Sequence, residues 1–129
     1  KKQFQNYITD LCLKTIVAFL NTKGGKLIIG QRDDKEITGI EEDRFKTKDD
    51  WSKFFKDKVK SHIGLTYIEK SITYRFYEKN DKTVAIIECK KLDKGQQAYL
   101  NDEDIYVRVG PSSEKLTAKQ ALELFIKKK

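Results

Sequence analysis

The stretch Ala18-Phe19-Leu20-Asn21-Thr22-Lys23-Gly24-Gly25-Lys26-Leu27-Ile28-Ile29-Gly30 joins the end of an amphipathic segment to an apolar run through two adjacent glycines. Upstream of it, Phe4, Tyr7, Ile8, Leu11, Thr15, Ile16 and Phe19 recur at the three-and-four spacing that lays one face of a helix on a core. Asn21, Gly24 and Gly25 end that helix, because glycine has no Cβ and accepts the positive φ of a helix C-terminus that reverses tightly. Leu27-Ile28-Ile29 is apolar without alternation, which predicts a strand covered on both faces, with a short buried helix left open by periodicity alone. Gly30 begins the polar exit Gln31-Arg32-Asp33-Asp34.

Further along, Ile37-Thr38-Gly39-Ile40 reads as a second strand forming a hairpin with the first. Thr47 can cap a helix whose apolar side carries Trp51, Phe54, Phe55, Val59, His62 and Ile63 up to Gly64, with Lys53, Lys56, Lys58 and Lys60 on its other side. From Ile72 the period becomes two: Ile72, Tyr74 and Phe76 alternate with Thr73, Arg75 and Tyr77. Asn80-Asp81 turns this strand back into Thr83–Cys89, whose Val84-Ala85-Ile86-Ile87 core predicts a central position. Lys90, Lys91 and Lys94 close that strand. Gln97–Leu100 and Ile105–Val109 are expected as short strands about the acidic turn 101–104, and a last helix opens at Thr117 with Gln120 completing a capping box, burying Ala121, Leu122, Phe125 and Ile126. The fold class that follows is α+β, a mixed, mainly antiparallel sheet with about three packed helices.

With 129 residues the chain has room for one domain, and residues 1–129 are read as such. Charged and apolar residues are nearly balanced at 36% and 38%, which predicts a folded, solvated surface, yet the net charge is +7, the footprint of a domain that meets anionic partners. Two cysteines, Cys12 and Cys89, are too few and too far apart for a disulfide framework or a zinc site and read as core thiols. No apolar run nears the roughly 20 residues that cross a bilayer, and no secretory signal is present, so no membrane partner is expected and a cytoplasmic location is the default. The sequence has no methionine, which reads as the N-terminal part of a longer protein.

The run AFLNTKGGKLIIGQRDD, followed by ITGI and later by YVRVGPSSEKLT, resembles the AlbA-type (AlbA_2) DNA-binding domain of bacterial transcription regulators and of Schlafen proteins, from the first residues to about Thr117. The resemblance implies nucleic acid as partner, DNA before RNA, and is compatible with a homodimer. It also implies that Arg32 and Arg108 lie near one edge of the sheet.

Lys23 and Lys26 flank the turn Gly24-Gly25, a pattern that reads as a solvated corner or, more sharply, as a holder of phosphates through lysines and backbone N–H groups. Ser112 and Ser113 could add hydroxyl donors. Spacing decides against a nucleotide-hydrolysing loop: Gln31 stands where a phosphate-binding lysine belongs, Leu27–Ile29 fills the loop as strand, and no GxGxxG occurs. No cofactor is called for. His62 reads as a packed imidazole, and no nucleophile-and-base pair is recognisable. Tyr77 and Tyr99 could stack on bases, though packing is the preferred reading.

Schlafen relatives that cleave RNA carry two glutamates upstream of a lysine and a third carboxylate after the apolar strand. Asp33 matches that third acid, and Lys1 matches the lysine, which places both glutamates before the first residue. Arg32 replaces a neighbouring acid. One aspartate does not make a metal site. A metal-dependent RNA endonuclease therefore stands as the alternative function, with a protein-interaction or dimerisation domain as a third.

Overall fold

The computed structural model describes residues 11–31, 34–43, 45–68 and 70–126. Phe4, Tyr7 and Ile8, like Arg32 and Asp33, lie outside the described residues. The chain is α+β, as its periodicities imply: helices packed on two antiparallel sheets. Parallel pairing is confined, among the described residues, to the isolated bridge Ile68–Ile72.

Helix α1 (Leu13–Asn21) is apolar on most of its surface and buries Leu13, Ile16, Val17, Ala18, Phe19 and Leu20. Leu11, expected on the core side, is instead exposed, while Cys12 next to it is buried. Strand β1 (Gly25–Ile29) pairs antiparallel with β3 (Lys82–Cys89), which also pairs with β2 (Ile72–Lys79), so β3 is central, as its unbroken apolar run requires. The β2–β3 link is a two-residue turn with Asn80 and Asp81 both at positive φ, the geometry whose twist suits a hairpin.

Register builds the core in rows. Leu27, Ile87 and Tyr74 lie abreast on the inner face, as do Ile29, Ala85 and Phe76. Helix α2 (Lys48–His62) covers this side, capped where Asp50 N–H donates to Thr47 Oγ1 at 3.0 Å. Its Trp51, fully buried, stacks on Phe55 at 5.0 Å between centroids and meets Tyr74 and Phe76 edge-on at 5.5 and 5.6 Å. Each such aromatic pair adds about 0.5–1.5 kcal/mol beyond area burial, so this cluster is a main fastening of helix to sheet.

Several expectations are corrected. β1 is an edge strand with one open face, where Ile28 is 45% exposed; an edge position leaves its outer side chains without a covering layer. Residues 37–40 form no hairpin strand with β1, and their pairing with the chain leaving it is limited to the isolated antiparallel bridge Gln31–Ile37. Thr38 and Gly39 both donate to Gly30 O, a turn rather than a ladder, and Ile40–Asp43 coils into a 3-10 helix. Beyond the end of β1 the Glu41 carboxylate takes the Thr83 N–H at 3.1 Å. Partial burial pushes that carboxyl upward, but the hydrogen bonds from Thr83 and the nearby Lys82 outweigh it and hold its pKa below the usual value.

In the C-terminal third, β4 (Tyr106–Val109) pairs with β5 (Ser112–Lys115) across Gly110-Pro111, not with residues 97–100, which make only the bridge Leu100–Asp104. Helix α3 (Ala118–Ala121) has the expected capping box at Thr117 and Gln120 and continues as a π-turn, Leu122–Ile126. Contrary to expectation, α3 buries none of its residues, Ala121 included, and Leu122 is 51% exposed.

Both cysteines are buried core thiols. Burial pushes the Cys89 thiol from 9.0 up to about 12, because the core desolvates the thiolate. The native state thus keeps its proton where the unfolded chain ionises, so Cys89 contributes stability fully below pH 9 and loses it as pH rises toward 12. A thiol-disulfide reagent at about pH 8 is expected to leave Cys89 unmodified until denaturant is added. Modification at the rate of an exposed thiol would contradict this burial.

Candidate functional site

Three separate pieces of chain converge on the C-terminal end of α1. Asn21 holds two of them: its Nδ2 donates to Ala98 O and to Tyr106 O, both at 2.9 Å, and its Oδ1 accepts the Ala98 N–H at 2.7 Å. Thr22 Oγ1 accepts the Arg108 N–H at 2.8 Å, tying β4 to the same helix end. Leu92 N–H donates to Leu20 O at 2.9 Å and brings in the loop after β3. These contacts wall an open groove of about 1120 Å³ between the end of α1, residues 91–96, β4 and the C-terminal π-turn. Leu20, Leu92 and Val107 give it an apolar base, and among the described residues that line it the cations are Lys91, Lys94 and Arg108 against one carboxylate, Asp93.

Arg108 is fixed in place. Its guanidinium lies 5.2 Å from the centroid of the Phe19 ring, and Nη1 donates to Ser113 Oγ at 2.8 Å. The Phe19 ring in turn occupies the space over Gly25, where a Cβ would come within 2.8 Å of it. The Phe19 ring thus lies against both Arg108 and Gly25, and the glycine is needed because the ring has taken the side-chain position. Ser112 is exposed on the β4–β5 hairpin.

The glycine turn contributes lysine side chains more than backbone donors. Gly24 N–H and Thr22 N–H are both spent on Phe19 O, closing the end of α1. That end carries the negative pole of the helix dipole, so anions drawn here must be drawn by side-chain cations. Lys23 is exposed, and the site of a Gly24 Cβ is 3.2 Å from Lys91 N, so the turn abuts the groove's basic loop. Lys26 is directed elsewhere. It sits on the outer sheet face opposite Glu88, which its ammonium approaches at 3.4 Å, whereas Gly25 and Phe19 lie on the inner face. Lys91 and Lys94 were legible only as a basic run; the antiparallel register Gly25–Cys89 is what brings Lys91 against the turn that carries Lys23.

His62, on the half-buried side of α2 as expected, does have a partner: its Nδ1 is 2.6 Å from Asn101 Oδ1, and Asn101 N–H donates to His62 O. Tyr77 and Tyr99, expected to pack, are 51% and 39% exposed. Among the described residues no group of three or more His, Cys, Asp or Glu is placed to hold a metal ion.

The family model "Schlafen, AlbA_2" matches residues 1–117. The chain belongs to the Schlafen AlbA_2 family. Among solved structures it is similar to the DIP2311 protein from Corynebacterium diphtheriae, with a TM-score of 0.60 and 18% identity over 84% of this chain. That likeness is one of fold, and the chain covers 17% of the DIP2311 chain. None of the curated proteins compared matches the sequence. As in the family at large, association with nucleic acid is what the membership suggests, and no helix among the described residues is long and apolar enough to cross a membrane.

Proposed function

We propose that this AlbA_2 domain binds nucleic acid, DNA in preference to RNA, through phosphate contacts from Lys23, Lys91 and Lys94, with Arg108 as a fixed cation in the same groove, as the binding module of a transcription regulator. The observation that carries the reading is the convergence of Lys91, Lys94 and Arg108 on one groove beside the Lys23 turn, in a chain of net charge +7. The regulator role and the preference for DNA rest on the family resemblance alone. Arg32 belongs to the same proposal by sequence, Ser112 as an exposed hydroxyl, and Ser113 as the group that orients Arg108.

Binding of this kind releases counterions, so log affinity should fall linearly with log salt. Fluorescence anisotropy with duplex DNA and a hairpin RNA measures it, and no detectable binding to either at low salt would sink the reading. Lys91→Ala with Lys94→Ala is expected to weaken binding across sequences and to lower the salt slope by about 1–2 units, close to one for each phosphate no longer neutralised. Lys23→Ala should add to that loss, while Lys26→Ala, its ammonium already engaged by Glu88, should change it little. Lys53→Ala with Lys56→Ala, on the solvated face of α2, serves as the comparison and should do less. Equal losses from the helix pair and the groove pair would mean that net charge, not the groove, drives binding.

A further inference from the structure

Arg108 differs from the other cations of the groove. Lys91 and Lys94 are exposed, whereas Arg108 is half-buried, anchored through its backbone on Thr22, through Nη1 on Ser113, and with its guanidinium 5.2 Å from the Phe19 ring centroid. An arginine held this way has little freedom to reach outward to a phosphate on a duplex surface. As a lining residue it offers the groove a fixed planar cation. Apolar surface lies beside it in the same groove: Leu92, the half-buried Phe125, and Val109, which is 58% exposed.

A recess that combines a planar cation, apolar walls and exposed ammonium groups fits an unpaired nucleotide. The base is flat with π-faces that stack on guanidinium or aromatic planes, and the flanking phosphates are anionic. Paired bases are already stacked on one another and cannot enter. We infer that the groove takes an unpaired nucleobase stacked on Arg108, with Lys91 and Lys94 on the adjoining phosphates. The inference rests on the nucleic-acid-binding reading and adds base insertion to its phosphate contacts.

The test compares a short oligothymidine with an abasic strand of the same length, which keeps every phosphate and removes every base, and with a blunt duplex. At one salt concentration the oligothymidine should bind about tenfold tighter than the abasic strand, the effect of one or two stacked bases. Arg108→Lys, which keeps the charge and loses the plane, should abolish most of that difference while leaving abasic-strand affinity within about twofold. Lys91→Gln with Lys94→Gln should weaken both strands alike. If circular dichroism shows Arg108→Lys unfolded, Phe125→Ala replaces it and should likewise erase the preference for bases. Equal binding of thymidine and abasic strands, or a preference that survives both variants, overturns base insertion and leaves phosphate binding standing. Failure of all three probes to bind at low salt overturns the functional reading itself.

Discussion

Asn21→Ala is expected to destabilise the domain by about 2–4 kcal/mol, because one small side chain satisfies three backbone groups on two different segments. Ala98 is fully buried and Tyr106 nearly so. Removing the carboxamide leaves the Ala98 N–H and C=O and the Tyr106 C=O facing a protein interior without their partner, and an unmet buried polar group costs more than the net worth of a hydrogen bond. Asn21→Asp separates bulk from bonding. It keeps an acceptor for the Ala98 N–H but sets a carboxylate against two carbonyl oxygens, so it should be at least as damaging as alanine. Urea unfolding at constant m-value measures both. Because Asn21, Ala98 and Tyr106 join the groove's walls, Asn21→Ala should also weaken nucleic-acid binding at temperatures where the domain is still folded. A loss below about 0.5 kcal/mol, within the range of ordinary surface substitutions, would mean that water replaces the side chain and that the clamp is dispensable.

Gly24→Ala is expected to cost about 2–4 kcal/mol, from two sources that add. Its φ of +74° is strained for any residue with a Cβ, and that Cβ would stand 2.6 Å from the Cys89 carbonyl oxygen, a backbone atom of the central strand. The strand cannot withdraw without breaking its pairing with β1. Gly110→Ala provides the comparison: its φ is +58° and nothing lies within 4 Å of the added methyl, so it should show the backbone strain alone, about 1 kcal/mol. Thermal unfolding of the two variants side by side resolves the steric part as their difference. Equal losses would show that the contact of the turn with β3 relaxes freely and that the turn does not hold Lys23 against the basic loop.

Much of this architecture was legible where its cause is local. The Thr47 cap of α2, the Thr117 capping box, the Asn80-Asp81 turn and the unbroken apolar run of β3 each depend on atoms within a few residues of one another, so side-chain chemistry and period suffice to place them. The helix-turn-strand order from α1 to β1 was equally plain, because no residue but glycine fits at position 24.

Partner choice was not local. Leu27–Ile29 suits any apolar strand, and only packing of the sheet on α2 selects β3, far along the chain, over the nearby residues 37–40. Strand β5 has no apolar signature at all: Ser112–Lys115 becomes a strand because β4, held on α1 by Thr22, presents an edge for it to pair with. Residues 97–100, rich enough in strand formers to mislead, have their backbone groups taken by Asn21 and by Tyr67, whose hydroxyl donates to Gln97 O. The candidate site divides the same way. Sequence alone determined the glycine turn, its lysines and the excess of positive charge; the tertiary structure decided that Lys26 faces away toward Glu88, that Lys91 meets the turn carrying Lys23, and that Arg108 is fixed on Phe19, since each depends on which strand pairs with which and therefore on which face a side chain emerges.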